Sequence, residues 1–138
     1  MDKVEMIKLK EFIKDDRFLP GSEIKIPGMY FNKIASVVFT LGEDYFHIEK
    51  SGVVKEEQHR IDLLDNCDFF KQDEEIIDFY KNLEVFDFKT KLKTFYGFEG
   101  FVTAIMVSIN GYIYYYLENG MNNSGSGRGL WIRAEEIK

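Results

Sequence analysis

Asn110–Gly111 is the feature of this sequence that most limits its fold. The dipeptide separates two apolar runs, residues 100–109 and 112–118, that are rich in β-branched and aromatic side chains. An Asn-Gly pair between such runs is the strongest short-range signal for a β-hairpin, because both residues accept the positive φ of a tight turn. The sequence therefore predicts a long hairpin in the last third of the chain.

Three other segments have the pattern of strands. Residues 34–49 predict a second hairpin that turns at 42–44, with Phe46 and Ile48 on one face of the return strand and Tyr45, His47 and Glu49 on the other. Residues 23–26 and 130–133 predict short strands. Residues 119–129 are rich in Gly, Asn and Ser, so we expect a flexible loop there.

Two segments favour helices. Residues 73–82 place apolar side chains at helical spacing, and Asp73 is a good N-cap. Residues 3–16 also fit a helix face, although Ile7 and Leu9 would suit a strand. Residues 60–66 leave helix and strand open. The predicted fold class is α+β and mostly β.

Aromatic residues make up 16% of the 138 residues. Alternation places Tyr112, Tyr114 and Tyr116 on one face of the last hairpin and Tyr115 on the other, so at least one Tyr is expected at the surface. Exposed rings suit protein recognition, although most of them could instead fill the core. The aromatic candidates for partner binding are Phe95, Tyr96, Tyr112, Tyr114 and Trp131.

The negative charge is concentrated in one part of the chain. The whole chain carries −6, whereas residues 56–87 alone hold eleven acidic and three basic side chains. This segment is either a solvated face that keeps the protein soluble or a patch that steers a basic partner protein. Duplex DNA is disfavoured, because its binding needs many Lys and Arg contacts to phosphates. The acidic candidates for partner binding are Asp62, Asp65, Asp73, Glu74, Glu75 and Asp78.

The sequence lacks the usual motifs of catalysis. Its one cysteine, Cys67, excludes an internal disulfide and is expected to be a buried apolar residue. The phosphate-binding loop, the HExxH motif and the nucleophile elbow are all missing. We therefore expect no enzyme, no cofactor and no metal. No run of about 20 apolar residues could span a membrane, and an unpaired thiol without a signal peptide suits the cytoplasm.

The C-terminal part contains GFEGFVTA at 97–104, the Asn110–Gly111 turn and LWIRAEE at 130–136. This succession resembles small SH3-like barrel proteins of phage and mobile elements. The resemblance implies a barrel over residues 84–138 and a binding role, preceded by a β-rich module over 1–83 with helices near 3–16 and 73–82. The two parts could also pack as one compact unit.

The first half of the chain echoes the second. Residues 34–41 align with 102–109, and residues 45–49 align with 114–118 after a one-residue insertion. The similarity indicates either a duplicated β module or only the likeness of any two hairpins.

The expected function is non-enzymatic binding. In its concrete form, an accessory protein of phage or mobile-element type uses the acidic segment and exposed rings to block a basic surface of a host defence nuclease or toxin. The alternative is an SH3-like module that binds single-stranded nucleic acid through Lys91, Lys93, Arg128 and Arg133.

Overall fold

The computed structural model describes residues 5–29, 31–70, 72–120 and 129–138. They are mostly β, with one α-helix and four short 3₁₀ segments. The strands are β1 (Met6–Lys8), β2 (Glu23–Lys25), β3 (Phe31–Thr40), β4 (Tyr45–Lys50), β5 (Val53–Val54), β6 (His59–Arg60), β7 (Asp68–Phe70), β8 (Glu84–Phe86), β9 (Lys91–Lys93), β10 (Glu99–Ser108), β11 (Ile113–Glu118) and β12 (Gly129–Arg133). The helix is α1 (Glu74–Lys81), and the 3₁₀ segments are Leu9–Glu11, Ile61–Asn66, Ile109–Gly111 and Ala134–Glu136.

The predicted hairpins are confirmed. β10 and β11 pair across Asn110–Gly111, where both residues have positive φ. β3 and β4 form the earlier hairpin, with Phe46 and Ile48 on one face as predicted, and this face is buried in the core. β2 and β12 match the short strands predicted at 23–26 and 130–133. Most of the predicted loop 119–129 lies outside the described residues.

The helix predictions had mixed outcomes. The helix at 73–82 is confirmed as α1, which Asp73 caps by accepting a hydrogen bond from the Glu75 amide at 2.9 Å. The helix predicted over 3–16 is wrong, because Met6–Lys8 is a strand that pairs with β8, with Ile7 opposite Val85. Tertiary pairing there overrides a weak local preference. The open segment at 60–66 contains the 3₁₀ turn Ile61–Asn66.

One large sheet curls into a half-barrel around the long strand β3. β4 pairs with one edge of β3, while β2 and β10 share the other edge, β2 next to residues 31–33 and β10 next to residues 36–40. β10 continues the sheet to β11 and β12, and β7 extends it beyond β2.

The buried side chains form one cluster that draws on both halves of the chain. β3 contributes Val37 and Phe39, and β11 contributes Tyr115 and Leu117. The hydroxyl oxygen of fully buried Tyr115 accepts a hydrogen bond from the Phe86 amide at 3.0 Å. Desolvation raises the pKa of Tyr115 to about 12. The core thus ties the second sheet, β1–β8, to the half-barrel.

Candidate partner-binding surfaces

Helix α1 holds four of the acidic candidates on its solvent side. Ile77 and Tyr80 are buried against the core, whereas Asp73, Glu74, Glu75 and Asp78 are exposed. The acids crowd the N-terminal turn because carboxylates there accept amide hydrogen bonds and oppose the positive end of the helix dipole. Their position therefore has a structural reason, which does not exclude a role in binding.

Arg17 contacts the 3₁₀ turn Ile61–Asn66, which carries the other two acidic candidates, Asp62 and Asp65. Its guanidinium contacts Asp15 at 2.6 Å and Asp65 at 3.1 Å, and it donates to the Leu64 carbonyl at 2.9 Å. The charged hydrogen bond from Arg17 lowers the pKa of Asp15. The 3₁₀ turn that carries Asp62 and Asp65 is thereby fixed to residues 15–17.

Lys81 completes the arrangement from the other side. Its Nζ lies 2.8 Å from Asp16, which fixes the C-terminal end of α1 to the same segment, residues 15–17. The six acidic candidates thus lie on two elements that flank one segment. We call Asp62, Asp65, Asp73, Glu74, Glu75 and Asp78 the acidic surface.

Sequence reasoning missed an exposed phenylalanine cluster beside these acids. Phe31, Phe69 and Phe70 are 47%, 42% and 59% exposed, and the Phe31 and Phe70 rings stack with centroids 4.9 Å apart. The Arg17 guanidinium lies 5.4 Å from the centre of the Phe69 ring. Paired phenylalanines next to a turn look like core residues in a sequence, so no local signal marked them as exposed.

The predicted aromatic residues of the last hairpin lie on the outer face of the sheet. Tyr115 points inward, whereas Tyr112 is 63% exposed, as the alternation predicts. Tyr114 is opposite Arg133, and Tyr116 is opposite Trp131 with ring centroids 5.3 Å apart. The hairpin therefore presents rings to solvent along β11 and β12.

Phe95 and Tyr96 lie elsewhere. They occupy the turn before β10, whereas Tyr112 follows its far end, a separation of about 30 Å along a ten-residue strand. Tyr96 donates to a Glu136 carboxylate oxygen at 2.9 Å. The candidate rings therefore do not form one patch, and Phe95 and Tyr96 are remote from the Tyr112 end of the hairpin.

Helix α1 lies next to the turn of the last hairpin. A Cβ added to Gly111 would lie 2.8 Å from Phe79 Cζ, and the Asn110 amide donates to the Tyr80 hydroxyl at 3.3 Å. Tyr112 follows this turn directly. The contact brings one aromatic candidate towards the helix that carries four acidic candidates.

An outer groove crosses the boundary between β3 and β10. It encloses about 340 Å³, and its lining includes Ser36, His47, Met106 and Tyr114. Ser36 Oγ lies 2.9 Å from His47 Nδ1, and desolvation lowers the pKa of His47. His47 thus lies on the outer face of the sheet, with its ring hydrogen-bonded to the buried Ser36.

Three further observations bear on cofactors, membranes and Cys67. Within 5–29, 31–70, 72–120 and 129–138, no three His, Cys, Asp or Glu side chains are grouped to hold a metal ion. In the same ranges, no helix is long and apolar enough to cross a bilayer. Cys67 is only partly buried, with Sγ 3.3 Å from the Leu63 carbonyl, and desolvation raises its thiol pKa.

Comparison with known proteins found no protein-family model, curated protein or solved structure that matches the chain.

Proposed function

We propose that this chain is a non-enzymatic binding protein that occupies a basic surface of a partner protein. The observation that carries the proposal is the arrangement of acids around residues 15–17. Asp65 is joined to this segment through Arg17, and α1 through Lys81. We propose that carboxylates from these two elements act together on a basic partner.

Charge of this kind acts mainly on the rate of association. Complementary potentials accelerate encounter, and the effect falls as salt screens it over about 8–10 Å. Buried rings then slow dissociation, because aromatic anchors commonly dominate binding energy. Tyr112, next to the α1–hairpin contact, and Trp131 are the anchors we propose from the original candidates.

We also propose an SH3-like architecture for the second half. β9, β10, β11 and β12 are successive neighbours, and the 3₁₀ turn Ala134–Glu136 follows them. Ile137 then forms a bridge with Thr94, directly after β9. A chain of antiparallel strands that closes on its first strand after a 3₁₀ turn supports a small barrel.

We also propose that the two halves arose by duplication, and the strand order of the first half supports this. β2, β3, β4 and β6 are successive neighbours, the 3₁₀ turn Ile61–Asn66 follows, and β7 returns to pair with β2. Both halves therefore have the same order of strands, 3₁₀ turn and closing strand.

The register repeats at the level of single residues. Ile24 opposes Asn32 as Leu92 opposes Gly100, in each case 68 residues later. The hydrogen bond from Gly21 N to the Ile34 carbonyl returns as Lys89 N to the Val102 carbonyl, each at 2.7 Å and with positive φ at the donor. The β-bulges also correspond, between Ile34 and Ser36 and between Val102 and Ala104. Likeness between two unrelated hairpins would not extend to bulges and positive φ angles, which supports duplication.

For the biological setting, we propose an accessory protein of phage or mobile-element type that acts in the cytoplasm by blocking a host defence nuclease or toxin. The support is the short SH3-like motif set of the C-terminal part and the basic substrate-binding surfaces that nucleases need for phosphates.

The nucleic-acid alternative has weaker support. Lys91 is 3.0 Å from Glu99, and Arg133 contacts Glu135 and Glu136 at 3.2 Å. Lys and Arg side chains that are paired with neighbouring carboxylates attract phosphates less strongly. Arg128 lies outside the described residues.

Two variants with equal charge change test the proposal. The first carries Glu74→Gln, Glu75→Gln and Asp78→Asn on α1. The control carries Glu99→Gln, Glu118→Gln and Glu135→Gln in the second half. Each is used to capture proteins from cells of the native host, and the association rate of the captured protein is measured at two salt concentrations.

We expect the α1 variant to lose the partner and the control to keep it, with association at least tenfold slower at high salt. Equal retention of the partner protein by both variants, or an association rate that does not change with salt concentration, would refute the proposal. Retention of single-stranded oligonucleotides with no protein partner would favour the alternative.

A further inference from the structure

β7 is an edge strand of the half-barrel and, like the two-residue strand β5, has no buried residue. All three of its residues, Asp68, Phe69 and Phe70, are exposed. It pairs with β2 on one side and, in the part of the chain that the structure describes, with no strand on the other. An unpaired edge presents backbone amides and carbonyls that another extended chain can bind.

Exposed rings lie along this edge. Phe31 and Phe70 stack, and Phe69 and Phe70 line a cavity of about 330 Å³ together with Ile77. Native proteins usually protect edge strands with charges or bulges, whereas exposed apolar rings on an edge mark a site of interaction.

On the duplication proposed above, the stacked rings of the first half have no counterpart in the second. Glu99 occupies in the second half the position of Phe31 in the first, since Lys93 opposes Glu99 as Lys25 opposes Phe31. The second half closes at Ile137 without a counterpart of the stacked pair. The phenylalanine cluster is therefore a feature of the first half alone and calls for a different explanation from folding.

The charges around the cluster select its occupant. Asp15, Asp16 and Arg17 line the same cavity as Phe69 and Phe70. Asp15, Asp16 and Asp65 outnumber the two cations that pair with them, Arg17 and Lys81, so the local charge stays negative. A second copy of this acidic chain would bring like charges together, and nucleic acid would be repelled. A segment with Lys or Arg alternating with apolar side chains complements both the rings and the carboxylates.

We propose that β7 binds an extended basic segment of a partner protein, which adds to the sheet as a further strand and inserts an apolar side chain against the stacked rings of Phe31 and Phe70. Main-chain hydrogen bonds to β7 supply affinity, and the ring cluster and the carboxylates supply specificity. The inference rests on the proposed function and names the surface and the form of the partner.

The probe is the labelled peptide Lys-Val-Lys-Phe-Lys-Val, whose binding to the full chain is followed by fluorescence anisotropy. Glu-Val-Glu-Phe-Glu-Val is the charge control, and a version with alternate N-methylated amides is the control for strand addition. Phe70→Ala is compared with Phe95→Ala, a ring that is 71% exposed on a distant turn. Amide exchange of the unaltered protein locates the bound peptide without any variant.

We expect the basic peptide alone to bind, to slow amide exchange within residues 68–70, and to lose at least about tenfold in affinity with Phe70→Ala but not with Phe95→Ala. Equal binding of the N-methylated peptide would overturn strand addition. Binding that protects only Tyr112–Tyr116 would overturn the β7 site while leaving the proposed function intact. Absence of binding by the basic peptide would overturn the inference. The proposed function would still be tested separately, by the capture experiment with the α1 variant and its control.

Discussion

Val38 and Met106 lie directly opposite each other where β3 pairs with β10, and they are 68 residues apart in the chain. The same interval relates Gly21 to Lys89 and Ile34 to Val102 in their repeated hydrogen bonds. The neighbouring pairs, Ser36 with Ser108 and Thr40 with Ala104, are arranged symmetrically about Val38–Met106. The backbone pairing of β3 and β10 therefore has a local twofold axis between these two residues, as the proposed duplication would give.

Val38→Ala tests whether the two halves unfold together. Val38 is fully buried at this axis, so loss of its methyl groups should lower the free energy of unfolding by about 2 kcal/mol. Native-state hydrogen exchange should show the same loss in β4 and in β11. Val53→Ala, at an exposed position, should change stability by less than about 0.5 kcal/mol. Destabilisation confined to one half would show that the halves unfold independently.

Gly111→Ala tests the contact between α1 and the last hairpin. Gly111 and Gly52 have almost the same φ, +80° and +79°, but an added Cβ would meet Phe79 only at Gly111. Gly52→Ala should therefore cost about 1 kcal/mol from backbone strain alone, and Gly111→Ala at least about 1 kcal/mol more. Urea denaturation of both variants measures the difference. Equal costs would mean that Phe79 moves aside freely.

Tyr115→Phe tests the hydrogen bond that joins β11 to β8. Removal of the hydroxyl leaves the Phe86 amide without its acceptor and should cost about 1–3 kcal/mol. Tyr112→Phe, at an exposed ring, should cost almost nothing. A loss equal to that of Tyr112→Phe would show that water replaces the hydroxyl.

Tyr115 also predicts a dependence of stability on alkaline pH. The pKa is about 12 in the folded protein and about 10 in an unfolded chain. The contribution of this group is therefore complete below pH 10 and is lost as the pH rises towards 12, by roughly 2–3 kcal/mol. Denaturant titrations from pH 9 to 12 should show a smaller decline for Tyr115→Phe. The same decline in both proteins would assign it to other groups.

Arg17→Gln tests the link between residues 15–17 and the acidic surface. The substitution removes the contacts to Asp15, Asp65 and the Leu64 carbonyl and should cost about 1–2 kcal/mol, because Arg17 is only partly exposed. Arg60→Gln breaks an ion pair with Glu43 in which both side chains are largely exposed and should cost less than Arg17→Gln, because solvent screens the pair. Equal costs in thermal or urea unfolding would contradict the role of Arg17.

The acid side of the stability profile gives a second measure of the Arg17–Asp15 pair. Arg17 lowers the pKa of Asp15, so this stabilisation is present above the ordinary Asp pKa near 4 and is lost as the pH falls through the lowered value. Arg17→Gln should therefore flatten the acid limb of the profile. An unchanged acid limb would show that other carboxylates dominate it.

Local signals predicted the parts of the fold that depend on neighbouring residues. The Asn110–Gly111 turn, the alternation around Phe46 and the Asp73 cap each act within a few residues, and the structure agrees with all three. The segment 3–16 failed because its strand exists only through pairing with Glu84–Phe86, almost 80 residues away. The residues near the N-terminus do not indicate that this segment pairs with Glu84–Phe86.

The candidate surfaces were predictable in charge but not in grouping. The acidic run was evident in the sequence, whereas its attachment through Arg17 and Lys81 depends on tertiary contacts. Phe69 and Phe70 gave the opposite problem, since rings at the end of a turn are normally buried and these two are not.

The pairing of β3 with β10, which we call the seam, has a consequence for assembly. On the proposed duplication, β3 and β10 are equivalent strands, so the same pairing can form between the first half of one molecule and the second half of another. The connection through α1 keeps the local concentration of the two halves high and favours closure within one chain. Loosening that connection, or concentrating the protein strongly, should yield a domain-swapped dimer that contains the same seam twice.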